Sequence, residues 1–270
     1  MVFEYIEGGN FSDWIDKNYN NFDWAKRINK LHNIINSLNE IHERKMVHRD
    51  LHTGNILFDI NIKFSRRSLP FDAHISDMGL CGEVDNIDST KIYGVMPYVA
   101  PEVLRGNPYT EAADIYSFGM IMYFVATGRQ PFANNAHDKM LVLDICNGIR
   151  PEINEPEAPQ CYIDLMKRCW DSNPVNRPVV TEIENLIGLF NDSYNHSKRY
   201  IIKKEENYEI EKQFKKAEEY KESNFSFLEE KRQSTTHPQA IYTSRLLNPF
   251  TKDLQNYDLN SQFLDCEITD

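Results

Sequence analysis

Three oxygen-bearing side chains stand at positions where they could do chemistry. Asp50 lies in the run His48-Arg49-Asp50-Leu51-His52-Thr53-Gly54-Asn55, with Asn55 five residues after it. Asp77 opens a second run, Asp77-Met78-Gly79-Leu80. A carboxylate can accept the proton of a reacting hydroxyl. An amide oxygen and a second carboxylate are hard ligands of the kind a small divalent cation takes. Any one of the three, alone, would read as a surface charge or a helix cap. Their order, followed by Ala100-Pro101-Glu102, makes the set worth pursuing.

The elements that must hold these residues can be read from apolar spacing. Trp24, Ile28, Leu31, Ile35 and Leu38 recur at steps of four and three, and Ile34 and Ile41 widen the face. That pattern predicts a core helix from about Asp23 to Arg44, running into the Asp50 loop. Ile56-Leu57-Phe58 predicts a short buried strand, with His74-Ile75-Ser76 as its partner leading to Asp77. The stretch from Ile60 to Ala73 reads as a turn or insertion. Ala113 to Thr127 is apolar nearly all round, which predicts a buried helix ended by Gly128. Further helices are expected near His137 to Asn147, Pro159 to Cys169 and Val179 to Phe190.

Composition changes after about Asn191. Tyr200 to Arg232 mixes Lys and Glu with few aliphatic residues and predicts a solvated single helix. Ser234 to Asp270 is polar and reads as flexible, with an apolar patch at Ile241-Tyr242, Leu246-Leu247 and Phe250 able to dock. The expected division is therefore 1–191, a mostly α domain with a short β-hairpin at its cleft, then 192–232, a charged helical extension, then 233–270, a flexible tail.

Bulk properties narrow the function classes. The 270 residues carry a net charge of −11, which argues against nucleic acid or an anionic membrane as partner. Cys81, Cys146, Cys161, Cys169 and Cys266 form no C-x-x-C pair, so reduced thiols are expected rather than disulfides or a zinc site. No apolar run reaches the roughly 20 residues needed to span a bilayer. The N-terminus has an acid, Glu4, where a signal peptide has bases. A cytoplasmic protein is expected, with the nucleus left open.

The three runs together resemble the signature set of the eukaryotic protein kinases: H-R-D-L-x-x-x-N, then D-F-G, then A-P-E. The first matches at every fixed position, the second differs only by Met78, and the third is intact. Cys169-Trp170 through Pro174 to Arg177-Pro178 resembles a signature of tyrosine kinases and the tyrosine-kinase-like group. The resemblance covers about Met1 to Phe190, the hinge and helical C-terminal lobe. It implies ATP-dependent phosphoryl transfer to a protein hydroxyl. Asp50 is then the acceptor of the substrate proton, and Asn55 and Asp77 hold Mg2+ on the nucleotide phosphates. Arg49 would pair with a phosphate on Ser89, Thr90 or Tyr93, placed there by an upstream kinase. His52 would reach the γ-phosphate. Leu57 would lie under the adenine ring, and Phe3, Glu4 and Ile6 would form the hinge along its edge. By the same resemblance His48 and Met78 stack in an apolar column, Asp114 anchors the catalytic loop, and Glu102 pairs with Arg177.

Departures from the family pattern are local and coherent. His52 stands where Ser/Thr kinases carry Lys, and Val95 where they carry Thr. Tyr98 keeps the Ser/Thr form of the segment, so Ser/Thr acceptors are favoured over Tyr. The Gly-rich loop and phosphate-gripping Lys of the small lobe are not found in this sequence. A chain truncated before the hinge is therefore expected, with weak nucleotide binding when expressed alone. The alternative is a non-catalytic kinase-like binding or scaffold module.

Overall fold

A computed structural model describes residues 9–58, 73–83, 91–195 and 205–252. Its helices are α1 (Phe11–Asn18), α2 (Trp24–Glu43), α3 (Pro101–Leu104), α4 (Glu111–Thr127), α5 (Lys139–Cys146), α6 (Gln160–Cys169), α7 (Val180–Asn195), α8 (Glu205–Ser223), α9 (Phe225–Arg232) and α10 (Asn248–Thr251). Among the described residues six short strands form three antiparallel pairs. β1 (Met46–Val47) pairs with β4 (Gly82–Glu83), β2 (Ile56–Phe58) with β3 (Ala73–Ile75), and β5 (Tyr93–Gly94) with β6 (Arg245–Leu246). The described chain is mostly helical, as its apolar spacing predicts. The expected turn or insertion between Ile60 and Ala73 lies almost wholly outside the described residues.

Local chemistry sets the helix ends. Asp23 accepts the Lys26 backbone N–H at 2.8 Å and caps α2, satisfying one of the donors that a helix start leaves open. α4 ends at Gly128, in the left-handed region at φ 66°. A side chain there would be strained, and its Cβ would stand 2.6 Å from the Tyr19 ring. Between these ends α4 is buried from Ala113 to Thr127. It packs on α2 and α6, while α2 also packs on α7. These contacts join α2, α4, α6 and α7 into one packed layer.

The charged stretch after Asn191 is not one solvated helix. It forms α8 and α9, and Ile210, Phe214, Ala217 and Lys221 of α8 are buried. Their spacing of four, three and four puts them on one narrow stripe. Phe214 sits against Trp24, Phe190 and Tyr194 at ring distances of 5.5, 5.6 and 5.5 Å. Glu218 Oε2 accepts the Trp24 N–H at 2.8 Å. Lys221 donates to the Phe22 carbonyl at 2.9 Å. Burial and the neighbouring Arg27 lower the Lys221 pKa to about 8, against a partial pull upward from Glu218. Abundant Lys and Glu hide this stripe in the sequence. Among the described residues no helix is long and apolar enough to cross a membrane.

Candidate catalytic site

Asp114, buried on the first turn of α4, organises the loop before Asp50. Its Oδ2 accepts the His48 N–H at 2.8 Å and faces His42 Nε2 at 3.0 Å, while Oδ1 accepts the Arg49 N–H at 3.0 Å. These bonds hold Arg49 at φ 71°, a left-handed conformation that non-glycine residues seldom adopt. The anchoring role expected of Asp114 is thus met by geometry. The chain then turns so that Asp50 is buried beside Asn55.

Asn55 bridges the two halves of the candidate site. Its Nδ2 donates to the Asp50 carbonyl at 2.9 Å and more weakly to Asp50 Oδ2 at 3.4 Å. Its own carbonyl accepts the Ser76 N–H at 2.8 Å and the Ser76 hydroxyl at 2.9 Å. The next residue, Asp77, is exposed and left-handed at φ 58°, with its carboxylate accepting the Gly79 N–H at 3.3 Å. His48 Nε2 lies 3.0 Å from the Ser76 carbonyl and ties the same strand to the loop. Asp50 and Asn55 therefore lie on one hydrogen-bonded chain that ends at Ser76, the residue before Asp77. With the Asn55 amide nitrogen turned to Asp50, Asn55 Oδ1 and the Asp77 carboxylate are the hard oxygens these two residues offer. Two such oxygens suit a magnesium ion whose other ligands are phosphate and water. Among the described residues no three His, Cys, Asp or Glu side chains cluster in a way that would hold a metal on their own.

The Asp50 carboxyl group is pulled in two directions. Burial raises its pKa, but a hydrogen bond and charge from His52, a hydrogen bond from the Ser244 side chain, and charge from His48 together leave it lowered. His52 Nδ1 accepts the Gly54 N–H at 3.1 Å, which assigns the ring proton to Nε2 when the imidazole is neutral. That nitrogen lies 3.7 Å from Asp50 Oδ1. Replacing His52 with Ala should therefore raise the Asp50 pKa and move the acid limb of the kcat/KM pH profile to higher pH. The position of that limb, rather than the rate at a single pH, is the readout. A limb that stays in place would remove His52 from this role.

The remaining expected residues fall into three groups. Leu57 is half-buried and bridges to Asn10, which places the chain just after the expected hinge beside β2. Phe3, Glu4, Ile6, Ser89 and Thr90 lie outside the described residues. Tyr93 is exposed in β5, and its carbonyl accepts the Tyr109 hydroxyl at 2.7 Å. Arg49 Nη2 donates to the Glu83 carbonyl at 2.8 Å, which pins the arginine to β4. Met78 is 46% exposed in the turn after the left-handed Asp77, while His48 is fully buried. Glu102 and Arg177 form the expected pair, with both contacts at 2.7 Å.

Two polar features have no signal in the sequence. Gln130 donates to Thr53 Oγ1 at 3.1 Å and Ser12 Oγ at 3.0 Å, and accepts the Tyr98 hydroxyl at 2.7 Å. This joins α1, the catalytic loop and the segment after β5, three parts remote in sequence. Burial holds the Tyr98 hydroxyl well above its ordinary pKa, so it stays a donor. Ser244, the second, reaches Asp50 from the far end of the chain.

The family model described as Protein kinase domain matches residues 1–186. A putative serine/threonine-protein kinase/receptor, R831, of Acanthamoeba polyphaga mimivirus is 32% identical over 199 residues, covering 73% of this chain and 12% of the relative. The dual specificity protein kinase zakA of Dictyostelium discoideum is 31% identical over 214 residues, 73% of this chain and 26% of its own length. The probable serine/threonine-protein kinase roco5 of the same organism is 30% identical over 198 residues, 68% of this chain and 7% of its own. This chain thus spans about a quarter or less of these relatives. It belongs to the protein kinase family.

Proposed function

We propose that this chain transfers the γ-phosphoryl group of ATP to a protein hydroxyl, Ser or Thr in preference to Tyr. The observation that supports this reading is the chain of hydrogen bonds from Asp50 through Asn55 to Ser76, ending beside Asp77. Asn55 and Asp77 would hold Mg2+, which when bound neutralises charge on the nucleotide phosphates. Asp50 orients the acceptor hydroxyl and takes its proton, a task suited to a buried carboxylate kept ionised by His52. Leu57 forms the floor under the nucleotide base, with Phe3, Glu4 and Ile6 along its edge. The catalytic unit is 1–191, and the Cys169-to-Pro178 stretch favours the tyrosine-kinase-like group. A phosphate on Ser89, Thr90 or Tyr93, added by another kinase, would pair with Arg49.

The test is incubation with Mg-ATP and a mixed peptide library, followed by mass spectrometry of the modified residue. Phosphoserine and phosphothreonine are expected, with loss of signal in the Asp77→Ala variant. Phosphotyrosine alone would overturn the specificity. ATP hydrolysis without any modified peptide would overturn the reading itself.

A further inference from the structure

The far end of the chain crosses the face on which Asp50 lies. β6 pairs with β5 so that Arg245 stands opposite Gly94 and Leu246 opposite Tyr93. The pairing continues where Leu247 N–H donates to the Ile92 carbonyl at 2.7 Å and Ile92 N–H donates to Asn248 Oδ1 at 2.9 Å. Gly94 itself borders the carboxylate: at φ 142°, a Cβ added there would stand 3.6 Å from Asp50 Oδ1 and 2.7 Å from Val99. Ser244, one residue before Arg245, is therefore delivered to Asp50. Its side chain comes close enough to the carboxyl group to help hold its pKa down. Oδ1 nonetheless lacks a partner at full hydrogen-bond geometry, so the hydroxyl lies beside the carboxylate without being locked to it.

Both flanks of Ser244 are seated. Upstream, His237 N–H donates to the Ala133 carbonyl at 2.8 Å. Ile241 N–H donates to His137 Nδ1 at 3.0 Å, and the Tyr242 hydroxyl donates to the Pro131 carbonyl at 2.9 Å. The Tyr242 ring meets His137 edge-on at 4.8 Å. Downstream, Arg245 Nη2 donates to the His137 carbonyl at 2.8 Å, and Leu247 is fully buried. An extended segment that adds a strand to an open edge, with pockets for individual side chains, is a general mode of peptide recognition.

We propose that residues 237–251 occupy the peptide-acceptor groove of their own chain and hold Ser244 as an acceptor, so that other protein substrates must displace them. The proposal rests on the phosphotransfer reading of Asp50. In the step itself, Ser244 Oγ attacks the γ-phosphorus of ATP and a new O–P bond forms. The bond from that phosphorus to the departing ADP oxygen breaks, and the hydroxyl proton passes to Asp50. The phosphate adds about −1.5 to −2 charges beside a carboxylate, which weakens the seat and opens the groove.

The test uses the full chain and a fluorescein-labelled synthetic peptide of residues 237–251. Leu247→Asp puts a charge in an apolar seat and should release the segment. Tyr242→Ala, which removes one ring contact and one hydrogen bond, is the milder variant should the first fail to fold. Fluorescence anisotropy should show the peptide binding the released chain at least tenfold more tightly than the unaltered chain, whose groove is already filled. Hydrogen exchange at the Ile92 amide should accelerate at least tenfold in the same variants. Equal peptide binding to released and unaltered chains, or binding to neither, would overturn occupation of the groove. After incubation with Mg-ATP, mass spectrometry should find phosphate on Ser244. Phosphate on other protein hydroxyls with Ser244 unmodified would overturn the acceptor assignment. No transfer to any hydroxyl, with the peptide results intact, would count against the kinase reading and leave the filled groove standing.

Discussion

On the proposed phosphotransfer function, replacing Asp50 with Asn should lower the rate of phosphate transfer by about 10²- to 10⁴-fold, the range supplied by a positioned general base. The change keeps the side chain's size and leaves the Asp114 anchoring bonds to His48 and Arg49 in place. What it removes is the ability to accept a proton. Nucleotide contacts are assigned to other residues, so calorimetric titration with Mg-ATP should give the same affinity for both forms. The discriminating measurement is therefore kcat alongside that affinity. A variant within tenfold of the unaltered rate would take Asp50 out of its role. A variant that loses nucleotide affinity in step with rate would mark the carboxylate as a binding group.

Much of the scaffold around Asp50 was legible because it rests on local rules. The steps of four and three from Trp24 to Leu38, with Asp23 ahead of them, identify α2 to within one residue at each end. The unbroken apolar run and Gly128 do the same for the end of α4. The candidate site residues rest on fixed spacing along the chain, and Asp114 holds the His48 and Arg49 amides at the head of that run. Contacts between remote segments left no such mark. Nothing near Ser244 or Gln130 in the sequence points to Asp50 or Thr53, because only the folded chain brings them together. The α8 stripe was missed for another reason: Lys221 is buried with its amine on a backbone carbonyl, and a charged residue does not read as core.

The ion pair between Glu102 and Arg177 gives the largest expected effect on stability. Arg177 Nη1 and Nη2 each reach a Glu102 oxygen at 2.7 Å. Arg177 also donates to the Ala112 carbonyl at 2.7 Å and the Asp171 carbonyl at 2.9 Å, and its guanidinium lies 5.3 Å from the Tyr116 ring centre. Arg177→Ala removes all of these and strands a buried carboxylate. Breaking such a pair from one side costs about 3–5 kcal/mol, against a total stability of about 5–15 kcal/mol for a domain. Urea unfolding followed by far-UV circular dichroism should show the loss as a lower midpoint at unchanged slope. The double variant Glu102→Met with Arg177→Met loses the same carbonyl bonds but leaves no uncompensated charge, so its midpoint should lie above that of Arg177→Ala. If the double variant is as unstable as the single one, the stranded carboxylate is not the source of the cost. The carbonyl contacts that fasten the start of α4 to the Asp171 loop would then carry it instead.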